Sequence, residues 1–125
     1  MAQQNKTMKY ATLEEILLGF SGTTLSFPFD DKTAVFKVAK KMFALVGLEW
    51  EPLGINLKCD PEDAQILRSQ FDAIIPGYHM NKDHWNTVIL DGSLEPDLVK
   101  KLIEDSYILV VKSMSKKEQI RLGVF

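Results

Sequence analysis

From Thr24 to Cys59, apolar residues recur at every second position in short runs, and that period constrains the fold more than any other feature of the sequence. Leu25, Phe27 and Phe29 alternate with Thr24, Ser26 and Pro28. Phe36 and Val38 flank Lys37, Phe43 and Leu45 alternate with Ala44 and Val46, and Ile55 and Leu57 alternate with Asn56 and Lys58. A period of two marks a half-buried strand, because successive side chains leave opposite faces. The connections at Asp30-Asp31-Lys32, Ala39-Lys40-Lys41 and Glu51-Pro52 are short. Strands joined this closely pair antiparallel, since parallel neighbours need a long crossover. The segment therefore predicts a four-stranded meander, with Pro28 placing its first strand at an edge or a bulge.

The flanking segments carry helical spacing. Thr12 and Glu15 stand in the capping-box relation, and Leu13, Ile16, Leu17 and Phe20 form one apolar stripe, which predicts a helix closed by Gly22. Asp60-Pro61-Glu62-Asp63 combines an N-cap acid, a first-turn proline and negative charge at the positive end of the helix dipole. Ala64, Leu67 and Phe71 give this second helix its inward stripe. Ile74-Ile75-Pro76-Gly77 breaks the chain, His84 to Leu90 reads as a fifth strand, and Asp91-Gly92 closes it. Ser93 is placed to cap a long final helix that buries Leu98, Val99, Leu102, Ile103, Ser106 and Val110, with Asp97 and Lys101 paired on its wet side. A short amphipathic turn runs from Ser115 to Leu122. Three amphipathic helices and one antiparallel sheet imply an α+β two-layer sandwich of about five strands, with the helices on one face and the other face partly solvated. Residues 1–10 are polar and aperiodic and read as a flexible leader; residues 11–125 read as a single domain, long enough to bury roughly two-thirds of its unfolded surface.

Charge and cysteine usage narrow the function classes. A net charge of −2 excludes a polybasic binder. The one cysteine, Cys59, makes no internal disulfide, which fits a reducing cytoplasm. No apolar run approaches the ~20 residues of a membrane span, and Met1 to Lys9 lacks the apolar stretch of a secretory signal. A cytoplasmic monomer without membrane contact is the expectation.

The densest polar and aromatic stretch is Pro76-Gly77-Tyr78-His79-Met80-Asn81-Lys82-Asp83-His84-Trp85-Asn86-Thr87. His79 and His84, with Asp83 or Cys59, have the chemistry of metal ligands, but their spacing matches no known ligand pattern, and turn and packing roles explain them more simply. A Cys59–His nucleophile pair meets the same objection, since a cysteine after an apolar strand usually packs as a small hydrophobe. Trp85 reads as a core aromatic, while Tyr78, His79, Asn81, His84, Trp85 and Asn86 together are candidates for a ligand-binding segment with aromatic walls. No carboxylate pair has an acid–base context, and neither GxGxxG nor GxxxxGK[ST] occurs. The reading is a non-enzyme without cofactor or metal. Charge is uneven: from Lys32 to Lys58 five lysines face two acids, a local +3 that leaves −5 for the remainder. Alternation sends Lys37, Asn56 and Lys58 away from the helices if Phe36, Val38, Ile55 and Leu57 face them, and Lys40 and Lys41 sit on a hairpin tip. Such a surface suits a nucleic-acid backbone, or else serves only to keep strand edges from aggregating.

Three stretches add a resemblance. Ile55-Asn56-Leu57-Lys58-Cys59-Asp60-Pro61-Glu62, the segment from Pro76 to Val88, and Leu90-Asp91-Gly92-Ser93-Leu94 closely resemble the MmcQ/YjbR family, as do Val35-Phe36-Lys37-Val38, Met42-Phe43-Ala44-Leu45 and Ser106-Tyr107. The likeness runs from about Leu13 to Val111. It implies a CyaY-like α+β sandwich and DNA binding by a double wing of hairpins, and it carries over no catalytic residue. On this chain the wings fall at Lys40-Lys41 and the Lys37/Lys58 face, with His79, Lys82, His84 and Trp85 as the next candidates. The leading expectation is thus a small DNA-binding protein touching phosphates through Lys37, Lys40, Lys41, Lys58 and Lys82. The alternative is a small-molecule or peptide binder that uses a cleft between the sheet and the Tyr78–Trp85 segment.

Overall fold

The protein is described here from a computed structural model covering residues 8–124. The elements are α1 (Tyr10–Leu18), β1 (Thr23–Ser26), β2 (Thr33–Val38), β3 (Lys41–Gly47), β4 (Gly54–Lys58), α2 (Pro61–Gln70), β5 (Ile74–Pro76), β6 (Trp85–Ile89), α3 (Pro96–Lys112) and α4 (Lys116–Leu122). All strands pair antiparallel in one sheet of order β1-β2-β3-β4-β6-β5. The predicted α+β sandwich is therefore the observed one, with a sixth strand. That strand is β5, three residues where the sequence suggested only a chain break. Pro76 is tolerated there because β5 is an edge, where a missing N–H costs no ladder bond.

Several boundaries move. Helix α1 starts at Tyr10, with Lys9 as N-cap, so Thr12 and Glu15 lie inside the helix and form no capping box. It ends at Leu18, and Gly22, at φ +74°, instead turns the chain into β1. Met8, inside the stretch read as a leader, is buried against the core; the leader's residues 1–7 lie outside the described residues. Helix α2 starts as predicted, Asp60 Oδ1 accepting from the Glu62 N–H at 3.0 Å. Helix α3 begins at Pro96 rather than after Ser93, because proline's fixed φ suits the first helical position. Ser93 instead donates its N–H to Asp91 in a turn, and Lys101 pairs with Asp105 rather than Asp97. Among the described residues no helix is long and apolar enough to cross a membrane.

The helices cover one face. Against them lies the main core: Leu13 and Leu17 of α1, Ala34, Phe36 and Val38 of β2, Phe43, Ala44 and Val46 of β3, Ile55 and Leu57 of β4, Ile74 and Val88, and Val99, Ile103, Tyr107 and Val110 of α3. Phe20, Phe43 and Tyr107 form its aromatic centre, Phe20 stacked on Tyr107 at 4.7 Å and Phe43 edge-on to it at 5.3 Å. Phe43 breaks the alternation predicted for β3. Phe36 pairs with Ala44 and Lys37 with Met42, so Phe43 is an extra residue and the strand is bulged there. Phe43 consequently shares the helix side with Ala44 and Val46, while Leu45 faces the other way.

The bulge leaves two main-chain groups to be satisfied. Pairing of β3 with β4 ends at Ala44↔Leu57. Beyond it, Ser106 of α3 inserts its hydroxyl: Oγ donates to the Phe43 carbonyl at 2.6 Å and accepts the Lys58 N–H at 2.8 Å. A buried carbonyl or N–H without a partner costs about 1–3 kcal/mol, so a small hydroxyl-bearing residue is what this position requires. Ser106, placed on the buried helix face by its spacing, is thus the pin that joins helix, bulge and neighbouring strand.

Candidate functional site

The helix-free face carries a second, smaller cluster: Val35, Leu45 and Trp85, with Met42 and Met80 packed on them. Trp85 is only 7% exposed. A loop from Gly77 to His84 lies over this face and is fastened to it. Asn56 Nδ2 donates to the Tyr78 carbonyl at 3.0 Å, the Tyr78 N–H donates to Thr87 Oγ1 at 2.8 Å, and Thr87 Oγ1 donates to Asn56 Oδ1. The Gly77 N–H donates to the Trp85 carbonyl at 2.9 Å, so close an approach that a Cβ at Gly77 would lie 2.7 Å from Trp85 Cβ. The segment from Tyr78 to Trp85 is thus hydrogen-bonded directly to the sheet residues that would wall the predicted cleft. Its polar residues act mainly as fasteners, with Asn81 Oδ1 accepting the Asp83 N–H and the His84 carbonyl accepting the Cys59 N–H.

Outward, the loop presents aromatic rings. Tyr78 is 53% exposed, stands edge-on to Trp50 at 5.8 Å and lies 4.0 Å from the His79 ring, with His79 at φ +61°. Trp50 lies on Gly47, where a Cβ would fall inside its ring. Sequence reasoning passed over Trp50, although two glycines within four residues of it mark room for a large ring. It also passed over Arg68. From the last turn of α2, Arg68 Nε donates to Asn86 Oδ1 at 2.6 Å, and Nη2 donates to the carbonyls of Lys82 and Trp85. One guanidinium thereby locks the end of the loop to the start of β6. Its four-residue spacing from the inward Ala64 was the available signal.

The predicted cationic residues separate. Lys37 is on the helix-free face, opposite Met42 and next to Thr24 of β1. Lys58 ends β4 opposite Trp85, on the helix-free side of the sheet. Lys40 is at the tip of the β2–β3 hairpin, where Ala39 and Lys40 both take positive φ, the hallmark of a two-residue type I′ turn. Lys41 turns to the helix side and donates to Ser113 Oγ at 3.2 Å. Lys82 folds back onto the Gly77 carbonyl at 3.0 Å. Among the described residues, then, Lys37, Lys40 and Lys58 have ammonium groups without a hydrogen-bond or carboxylate partner. Asn86 faces the helices, where its Nδ2 donates to the Ala64 carbonyl at 3.4 Å.

On that side, α2 rests on β5 and β6 while α3 rests on β3 and β4, and a cleft of about 310 Å³ opens between the two helices. Leu57, Ile74 and Val88 lie in its lining, together with Leu67 of α2 and Leu98, Leu102 and Leu109 of α3. Cys59, Asp60, Asp63, Lys101 and Asp105 line it as well. Burial, and after it the negative charge of Asp63, Asp60 and Asp105, pushes the Cys59 thiol up to about 11. Such a thiol is protonated at neutral pH and is a poor nucleophile or metal ligand. Among the described residues no three histidine, cysteine, aspartate or glutamate side chains gather to hold a metal.

The profile of the YjbR family matches residues 18–109. The uncharacterised protein YbdF of Escherichia coli O157:H7 is 35% identical over 119 residues, covering 94% of this chain and 97% of its own. The uncharacterised protein YjbR of Escherichia coli K12 is 33% identical over 111 residues, 86% of this chain and 94% of its own. A crystal structure of the Deinococcus radiodurans protein DR2400 superposes with a TM-score of 0.90 at 38% identity, covering 98% of this chain and 94% of that one. A crystal structure from Pseudomonas syringae gives 0.70 at 32% identity, with 82% and 98% coverage. Sequence and fold agree across most of the chain, which belongs to the YjbR family.

Proposed function

We propose that this protein is a non-enzymatic DNA-binding protein that meets the sugar–phosphate backbone with one end of its helix-free sheet face. The observation that carries the reading is the placement of Lys37, Lys40 and Lys58. Lys37 of β2 and Lys58 of β4 are two strands apart, about 10 Å, at the end of the sheet where the Lys40 hairpin projects. Met42 of β3 lies in register with Lys37 and between the two lysines, and Trp85 of β6 lies beside Lys58 on its far side, so cationic and apolar residues alternate along the row. An ammonium group without a carboxylate partner is available to displace counterions from a phosphate. Lys41 and Lys82, already engaged with Ser113 and Gly77, are minor contributors. With so few contacts and a net charge of −2, binding is salt-sensitive and reads backbone rather than bases.

Fluorescence anisotropy of a labelled duplex, titrated at several salt concentrations, tests this. Binding at low salt is expected to weaken as salt rises, with a slope of about −0.9 per phosphate contact. Lys37→Glu/Lys58→Glu abolishes it, and Lys41→Glu changes it little. Absence of binding at low salt, or equal losses from Lys41→Glu and the double variant, overturns the proposal.

A further inference from the structure

We infer that the cleft between α2 and α3 is a binding site for a small organic cation with an apolar body, such as an arylalkylamine. This stands independently of any nucleic-acid binding on the opposite face.

The cleft is left open by the way the two helices are seated. Helix α3 packs on β3 and β4, α2 packs on β5 and β6, and the sheet between them turns Leu57, Ile74 and Val88 toward the gap. Leu98, Leu102 and Leu109 wall one side, and Ile66 and Leu67 the other. Ile66 remains 50% exposed although it adjoins the cleft. A volume of about 310 Å³ is at the small end of ligand pockets, which are typically apolar with a few polar groups at one end. Asn86, the polar residue of β6 in the lining, is satisfied by Arg68 and Ala64, so it demands nothing of an occupant.

The rim sets the sign of the occupant's charge. Asp60, Asp63 and Asp105 all border the cleft, and all three act on the Cys59 thiol through their negative charge. Asp105 is already matched, since Lys101 Nζ lies 3.2 Å from each of its carboxylate oxygens. Asp60 accepts the Glu62 N–H as the cap of α2. Asp63 has no hydrogen-bond or ion-pair partner among the described residues and is solvent-exposed at the mouth. Lys58 also borders the cleft, but its place opposite Trp85 directs its side chain toward the other face. An ammonium head at Asp63 with an apolar tail over Leu57 and Val88 matches both parts of the cleft. An anionic head meets carboxylates instead.

The experiment is a methyl-resolved NMR titration of the whole chain with three matched probes: 4-phenylbutylamine, 4-phenylbutanol and 4-phenylbutyrate. Saturable shifts of the Leu57, Ile74, Val88 and Leu102 methyls are expected with the amine, binding about fivefold or more tighter than the carboxylate. Asp63→Asn, an exposed change that leaves the fold intact, brings the amine down to the affinity of the alcohol and leaves the alcohol unchanged. Leu102→Trp fills the cleft and removes all three. The inference is overturned if the amine gives no saturable shift at millimolar concentration, if its shifts fall on the helix-free face, if the carboxylate binds as well as the amine, or if Asp63→Asn has no effect.

Discussion

The two faces of the sheet are buried by different means. On the helix side, closure comes from the fit of large side chains, with Phe20, Phe43 and Tyr107 at the centre and Ser106 as the polar pin. On the other side a small cluster around Trp85 is closed by a loop that hydrogen bonds hold in place, through Asn56, Thr87 and Arg68. Apolar packing is non-directional and scales with area, whereas the loop depends on a few directed bonds. The lesson is that the first face supplies stability and the second supplies shape. Substitutions should therefore differ in kind as well as in size between them.

The largest contrast is between two neighbours on β3. Phe43→Ala removes a fully buried ring from the bulge and should lower stability by about 3–5 kcal/mol. Leu45→Ala, on the opposite face under the loop, should cost about 2 kcal/mol, because Met42 and Met80 can shift into the space. Urea denaturation of both variants checks this. Equal losses would mean that the helix-free cluster is as tightly packed as the main core, and the distinction between the faces would fall.

A smaller effect should separate shape from stability. Thr87→Val keeps the volume but deletes the hydroxyl that accepts the Tyr78 N–H and donates to Asn56. We expect a loss of about 1–2 kcal/mol, with amide exchange accelerated in the loop at Tyr78 and unchanged in α3. Acceleration spread evenly over the molecule would show that loop and core open as one unit.

Much of this division was legible in the sequence. The period of two gave the meander, Asp60-Pro61 gave the start of α2, and the spacing of Val99, Ile103, Ser106 and Val110 gave the buried face of α3. The bulge was not legible, because Met42, Phe43, Ala44, Leu45 and Val46 are apolar at every position and an inserted residue leaves no break in such a run. With the phase of β3 hidden, the side taken by Phe43 stayed hidden too. β5 was missed because Pro76 reads as a breaker unless the strand is known to lie at an edge. Local charge singled out Lys37, Lys40, Lys41 and Lys58 as a group, yet charge counts say nothing about direction, and only tertiary contacts separate Lys41, and likewise Lys82, from Lys37. The cleft between α2 and α3 had no sequence signature, since its walls come from five successive elements, β4 to α3, whose facing sides only the tertiary fold brings together.

The smallest effect lies at that cleft and works through pH. The Cys59 thiol ordinarily titrates at 9.0 and is raised to about 11 in the fold, chiefly by burial and then by the carboxylates of Asp63, Asp60 and Asp105. Below pH 9 the thiol is protonated in both folded and unfolded chains, so its contribution is fully present. Between 9 and 11 the unfolded chain loses this proton while the folded chain keeps it, and stability falls as pH rises. Above 11 both forms are ionised and the dependence ends. Tyr10, raised to about 12, and the raised Tyr107 act in the same direction at higher pH, so the measurement is the difference between the wild-type chain and Cys59→Ser. That difference in denaturation midpoint should change between pH 8 and 10.5 in the sense of wild-type loss, by less than a fully buried thiol would give, since Cys59 is only partly buried and water screens it. A difference that stays flat across this range would show that the thiol is open to water, and that α2 and α3 leave a shallower, wetter groove than the helix-side packing implies.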